Sequence, residues 1–136
     1  MMDIDYFKSY NDTYGHIAGD HVIEAIAEVL KHSFKRKSDI ISRYGGEEFA
    51  AVLYDMTFDS ALDLCQRLLE EIESLKIEHS GSIYHNVTIS IGLYHDPIHP
   101  NQRLNDLIDL ADKALYLAKT KGRNRVEANR GESQTR

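Results

Sequence analysis

Apolar residues recur every three or four positions in three stretches of the chain. In Asp20–Phe34 they fall at Val22, Ile26, Leu30 and Phe34, a spacing of four that puts them on one side of a helix. In Asp59–Leu75 the positions Leu62, Cys65, Leu69 and Ile72 make a second amphipathic helix, with Thr57 or Asp59 placed to cap its start. In Arg103–Lys119 a third helix carries Leu104, Leu107, Ala111, Leu115 and Ala118. It stops at Gly122, after the basic Lys119 and Lys121.

Other stretches read as strands. Ile40–Tyr44 and Phe49–Tyr54 are short, apolar and rich in β-formers, and the intervening Gly45-Gly46 is a turn signal. The pair is therefore a hairpin with Gly45-Gly46-Glu47-Glu48 at its tip. Val87–Leu93 alternates strictly, with Val87, Ile89, Ile91 and Leu93 on one face and Thr88, Ser90 and Gly92 on the other, the pattern of a half-buried strand. Arg125–Ala128 reads as a short edge strand, and the polar Asn129–Arg136 as a disordered tail. The residues before Asp3 are too few to form a strand, although Asp3-Ile4-Asp5 looks like the end of one. The order helix, hairpin, helix, strand, helix, strand predicts an α+β domain over residues 1–128, with helices packed on a mostly antiparallel sheet.

Composition narrows the function classes. The chain has 136 residues, 42% hydrophobic and 28% charged, with 8 Gly and 2 Pro, which excludes a disordered or collagen-like chain. The lone Cys65 cannot form an internal disulfide and points to a reducing compartment. The longest apolar run, Phe49–Tyr54, is far short of the ~20 residues that span a bilayer. The opening Met1-Met2-Asp3-Ile4-Asp5 lacks the basic flank and apolar stretch of a secretory signal, so a cytoplasmic location without membrane contact from this segment is expected, with anchoring of a parent protein through upstream segments left open. The net charge of −6 argues against a nucleic-acid backbone as partner. A small phosphorylated ligand stays open, because metal ions and a few local cations can neutralise it.

Two acidic clusters hold the candidate chemistry: Asp3-Ile4-Asp5 and Glu47-Glu48. Each alone is ordinary for a strand end or a turn. A hairpin lying beside the segment that carries Asp3 would bring both onto one divalent ion, and hard oxygen ligands are what Mg²⁺ requires. Gly45-Gly46 permits positive φ and leaves no Cβ to keep a ligand away.

The motifs Asp3-Ile4-Asp5-Tyr6-Phe7-Lys8, Asn11-Asp12, Gly15-His16, Gly19-Asp20 and Arg43-Tyr44-Gly45-Gly46-Glu47-Glu48-Phe49 occur in an order that closely resembles the GGDEF-domain diguanylate cyclases, in the G-G-E-E-F variant. The resemblance runs from Asp3 to about Ala128. It implies a ferredoxin-like fold similar to the palm of nucleotidyl cyclases, and condensation of two GTP into cyclic di-GMP with release of pyrophosphate.

Carried over by position, the resemblance makes Asp3, the Ile4 carbonyl and Glu47 ligands of two Mg²⁺ ions per active site. Glu47 would also be general base, and a role for Glu48 stays open. Asn11 and Asp20 would read guanine, an amide and a carboxylate being suited to its edge. His16 would line the nucleotide pocket, and Lys8, Lys119 and Arg123 would meet the triphosphate. Arg36 and Asp39, in an Arg-x-x-Asp pattern shortly before the hairpin, match the family's inhibitory product site. A homodimer is implied, with one GTP in each subunit.

Family members also carry a helix with an L-T-x-L-x-N-R type motif and a first strand before the Asp-Ile-Asp. Neither is present, so the expectation is an N-terminally truncated domain with Asp3 on a frayed end and weak turnover at low protein concentration. Two rival readings follow: a sensory module that binds cyclic di-GMP through Arg36 and Asp39 without making it, and a catalytically silent fragment.

Overall fold

The computed structural model describes residues 1–97 and 99–131. Strand β1 (Met2–Ile4) leads into helices α1 (Phe7–Tyr14) and α2 (His16–Ser33), the hairpin β2 (Ile40–Gly45) and β3 (Glu48–Val52), and helix α3 (Phe58–Ser74). Strand β4 (Ile89–His95), helix α4 (Leu104–Thr120) and strand β5 (Val126–Arg130) complete the described chain. The five strands form one sheet in the order β2-β3-β1-β4-β5, antiparallel throughout except for the parallel β4–β5 pair. The α+β class and the antiparallel-rich sheet are as expected.

The expected helices form where the periodicity places them. Thr57 caps α3, its Oγ1 accepting from the Ser60 amide at 3.1 Å. Leu30 of α2 and Leu68 and Ile72 of α3 are almost fully buried against Ile4, Phe49, Ile89 and Ile91 of the sheet. Removing such side chains from water contributes about 2 kcal/mol each.

Four expectations need correction. First, a strand does form before and through Asp3. Met2–Ile4 is only three residues long, but β3 and β4 pair with it on both sides, and Met1 exchanges hydrogen bonds with Gly92 at 2.8 Å in each direction. Asp3 therefore sits on the central strand, between buried Met2 and Ile4, and not on a frayed end.

Second, the helix expected over Asp20–Phe34 begins four residues earlier, at His16, and a further helix, α1, carries Asn11 and Asp12; the chain reverses at Gly15, whose φ of 90° ends α1 and starts α2. Asp20 accordingly lies inside α2. Third, β4 is buried on both faces at Ile89–Gly92. Its polar face is covered by α4, whose backbone at Ala111 and Leu115 rests on Gly92, where a Cβ would collide. Fourth, β5 extends through Asn129 and Arg130, which polarity alone assigns to the tail. The remaining tail positions, 132–136, lie outside the described residues.

Candidate active site

The acidic end of β1 meets the hairpin turn. Asp3 is in register with Glu48, and the Ile4 amide donates to the Glu47 carbonyl at 3.3 Å, so carboxylates far apart in sequence share one corner of the sheet. Asp3 lies under α4 and accepts a hydrogen bond from Lys119 Nζ at 3.0 Å. Burial pushes the Asp3 carboxyl up to about 6. Lys119 pulls it down, and the neighbouring charges of Glu47 and Glu48 push it up again.

Among the described residues, no three His, Cys, Asp or Glu side chains form a ready metal cage. The donors at this corner are Asp3, Glu47 and backbone oxygen. Their chemistry fits Mg²⁺, a hard cation that takes few protein ligands and keeps water or phosphate for the rest. The upward push on Asp3 is what a divalent cation there would offset.

Helices α1 and α2 bring a second group of expected residues together. The Asn11 side chain lies against Gly19, the residue preceding Asp20, and its Oδ1 is buried without a hydrogen-bond partner. A Cβ on position 19 would collide with it, so the glycine makes room for the amide. Lys8 near the start of α1, and His16 and Asp20 on α2, are exposed.

The end of α4 supplies the cations. After Lys119 the chain turns through Gly122, Arg123 and Asn124, all at positive φ (123°, 66° and 46°). The Arg123 guanidinium lies 4.7 Å from the centroid of the Tyr6 ring, a cation–π contact that fixes its direction.

Arg36 and Asp39 form a separate cluster at the other end of the hairpin from the Glu47 turn. Arg36 Nε donates to Asp39 Oδ1 at 3.0 Å, and Asp39 Oδ2 accepts the Arg36 amide at 3.0 Å. The same guanidinium donates to the carbonyls of Tyr54 (2.7 Å) and Asp55 (3.2 Å). Beside it, His32, Ser33, Lys35, Leu64, Arg67 and Glu71 line a cavity of about 360 Å³ between α2 and α3.

Two residues of this region escape sequence reasoning. Asp5 reads as part of one acidic cluster with Asp3, yet it is buried away from the hairpin turn among hydroxyl and amide donors. The signal that separates them is Thr88-x-Ser90 at the start of β4, two polar residues that are fully buried. Fully buried His79 also goes unmarked. Its Nε2 lies 3.0 Å from the Tyr6 carbonyl, and its ring is edge-on to Tyr6, Tyr10 and Tyr14.

A central acidic strand end, an acidic hairpin turn and a basic helix end thus meet at one corner of an α+β sheet. Residues 1–125 match the family model described as "Diguanylate cyclase, GGDEF domain", and the chain belongs to this family. It is 43% identical over 128 residues to diguanylate cyclase A of Treponema denticola, covering 93% of this chain and 33% of that protein. The chain thus spans about a third of the length of the curated relatives it matches.

Solved structures agree. The GGDEF domain of DgcB from Caulobacter crescentus, in complex with c-di-GMP, superposes with a TM-score of 0.81 at 32% identity, covering 93% of this chain and 74% of that one. The active GGEEF domain of a diguanylate cyclase from Vibrio cholerae gives 0.79 at 30% identity, over 96% and 81%. No helix among the described residues is long and apolar enough to cross a membrane.

Proposed function

We propose that this domain condenses two GTP into cyclic di-GMP, each 3′-hydroxyl attacking the α-phosphorus of the partner nucleotide with pyrophosphate leaving. The observation that carries the reading is the convergence of Asp3 with the Glu47-Glu48 turn, beside Lys119, on the central strand. Asp3, Glu47 and the Ile4 carbonyl would hold Mg²⁺, which when bound acidifies the hydroxyl and neutralises phosphate charge.

The chain's own residues supply the rest. Glu47, half-buried at the tip of the hairpin, accepts the hydroxyl proton. Lys8, Lys119 and Arg123 neutralise the triphosphate and the departing pyrophosphate. Asn11 and Asp20 meet the guanine edge, the Asn11 Oδ1, which has no partner against Gly19, turning out to accept from the base, and His16 borders the same pocket. One nucleotide per chain requires a homodimer that faces two sites across a two-fold axis. Arg36 and Asp39 bind the product and give feedback inhibition.

Incubation with GTP and Mg²⁺, followed by chromatography, tests this. Cyclic di-GMP should form in the wild type and disappear in Glu47→Ala. A second reading, a cyclic di-GMP receptor, rests on the separate Arg36–Asp39 cluster. Calorimetric binding of cyclic di-GMP without any binding of GTP would favour it, and binding of neither would favour a silent domain.

A further inference from the structure

The carboxylate of Asp5 accepts from three donors. It is only 2% exposed. Thr88 Oγ1 donates to its Oδ2 at 2.7 Å, Ser90 Oγ to its Oδ1 at 2.6 Å, and the backbone N–H of Asn124 to its Oδ2 at 3.0 Å. Two of these partners flank and open β4. The third belongs to the turn that follows α4.

That turn needs an anchor. Gly122, Arg123 and Asn124 all have positive φ, a conformation that side-chain-bearing residues adopt only when their surroundings enforce it. The contacts that hold it come from several elements: the Gly122 and Arg123 amides donate to the Lys119 and Ala118 carbonyls at 3.4 and 2.9 Å, the Tyr84 hydroxyl to the carbonyls of Gly122 and Arg123, Arg125 Nε to the Arg123 carbonyl, Asn124 Nδ2 to Glu73 Oε2 at 3.4 Å, and the Asn124 amide to Asp5. Of these, the last alone ties the turn to the segment that carries Asp3.

The next residue completes the grip. Tyr6 places its ring under the Arg123 guanidinium at 4.7 Å, and Tyr6 itself has a φ of 53°. The dipeptide Asp5-Tyr6 therefore holds Arg123-Asn124 at two points: carboxylate to backbone, and ring to guanidinium.

We propose that Asp5 is a positioning residue: through the Asn124 amide it locks the Gly122–Asn124 turn and so aims Arg123 at the triphosphate, while taking no metal itself. This rests on the reading above that Arg123 meets the triphosphate. It separates two aspartates that look equivalent in sequence, giving Asp3 to the acidic corner and Asp5 to the basic turn.

The test is a set of calorimetric titrations of this chain with GTP and with guanosine, each in the presence of Mg²⁺, on wild type, Asp5→Ala, Asp5→Asn and Arg123→Ala, with the Asp5 changes also made in the Arg123→Ala background. Asp5→Ala should weaken GTP binding by roughly tenfold or more, the loss of a hydrogen bond to a charged group. Guanosine binding should stay within about twofold, since that ligand has no phosphate for Arg123 to meet. Asp5→Asn, which keeps an oxygen facing the Asn124 amide, should recover most of the GTP affinity. In the Arg123→Ala background the Asp5 substitutions should add less than about twofold.

Equal losses for GTP and guanosine, or a full tenfold loss that persists without Arg123, would show a general structural role and overturn the proposal. So would wild-type GTP affinity in Asp5→Ala. If Asp5→Ala does not fold, Thr88→Val and Ser90→Ala, each deleting one donor, are titrated instead and should give the same selective loss for GTP. A wild type that binds no GTP would sink the cyclase reading and this proposal together, whereas a binding wild type with indifferent Asp5 variants sinks this proposal alone.

Discussion

Lys119 Nζ lies 3.0 Å from Asp3 Oδ2, joining the last turn of α4 to the central strand across 116 positions of sequence. The ammonium that compensates the buried carboxylate is also the one proposed to meet the triphosphate. Charge at this corner is therefore shared between a structural pair and a ligand. Because Lys119 does not fully offset burial and the two glutamates, Asp3 stays a weaker acid than an ordinary aspartate.

A pH dependence follows. The Asp3 carboxyl titrates at about 6 when folded, against an ordinary value of 3.8, so between those values the native state holds more protons than the unfolded chain. The contribution of this group to stability is fully present below about pH 4, falls as pH rises, and is lost above about 6. Asp3→Asn cannot titrate. In metal-free protein its stability relative to wild type should therefore rise from about pH 4 to about 7 and then level off. Urea denaturation in chelator at stepped pH measures this, and a difference that stays flat across the range would contradict it.

Much of the fold is legible because periodic burial survives in the sequence. In α3 the expected Cys65, Leu69 and Ile72 do lie on the buried face, which also takes Ala61, Leu64 and Leu68, while Leu62 is only half-buried. Helix α1 is illegible for the opposite reason: only Phe7 and Tyr10 are buried, among Lys8, Ser9, Asn11 and Asp12, and its partner is the equally local α2. Strand β1 has three residues and no periodicity, and it exists because β3 and β4 both pair with it. The division of labour between Asp3 and Asp5 depends on β4 and the turn after α4, which no local pattern around residue 5 encodes.

Cys65 should be inert in the native protein. It packs in the core with Leu64, Leu68 and Leu69, and burial pushes its thiol up to about 11. At about pH 8, near the ordinary thiol range, iodoacetamide should label it only as fast as the chain unfolds, and fully in denaturant. Rapid labelling without denaturant would mean that α3 opens locally.

Gly92 fixes how closely α4 approaches the sheet. A Cβ there would meet backbone atoms of Ala111 and Leu115, and backbone cannot swing aside as a side chain can. Gly92→Ala should therefore cost about 1–3 kcal/mol in urea denaturation, the range for overpacking a core. It should also weaken the Lys119–Asp3 pair, since α4 carries Lys119. A variant as stable as the wild type would show that α4 lifts without penalty.

Gly19→Ala separates stability from recognition. Position 19 lies within α2, where alanine is favoured over glycine by about 1 kcal/mol. Against this, the added Cβ would press on the Phe7 ring and collide with the Asn11 amide oxygen. The Asn11 side chain can rotate away, so the melting temperature should change little. The rotation removes the one buried, unpartnered acceptor among the described residues of this helix pair, which is the group proposed to read guanine. GTP affinity by calorimetry should fall by up to roughly tenfold, the net scale of one neutral hydrogen bond. Unchanged GTP affinity in a folded Gly19→Ala variant would remove Asn11 from the nucleotide site.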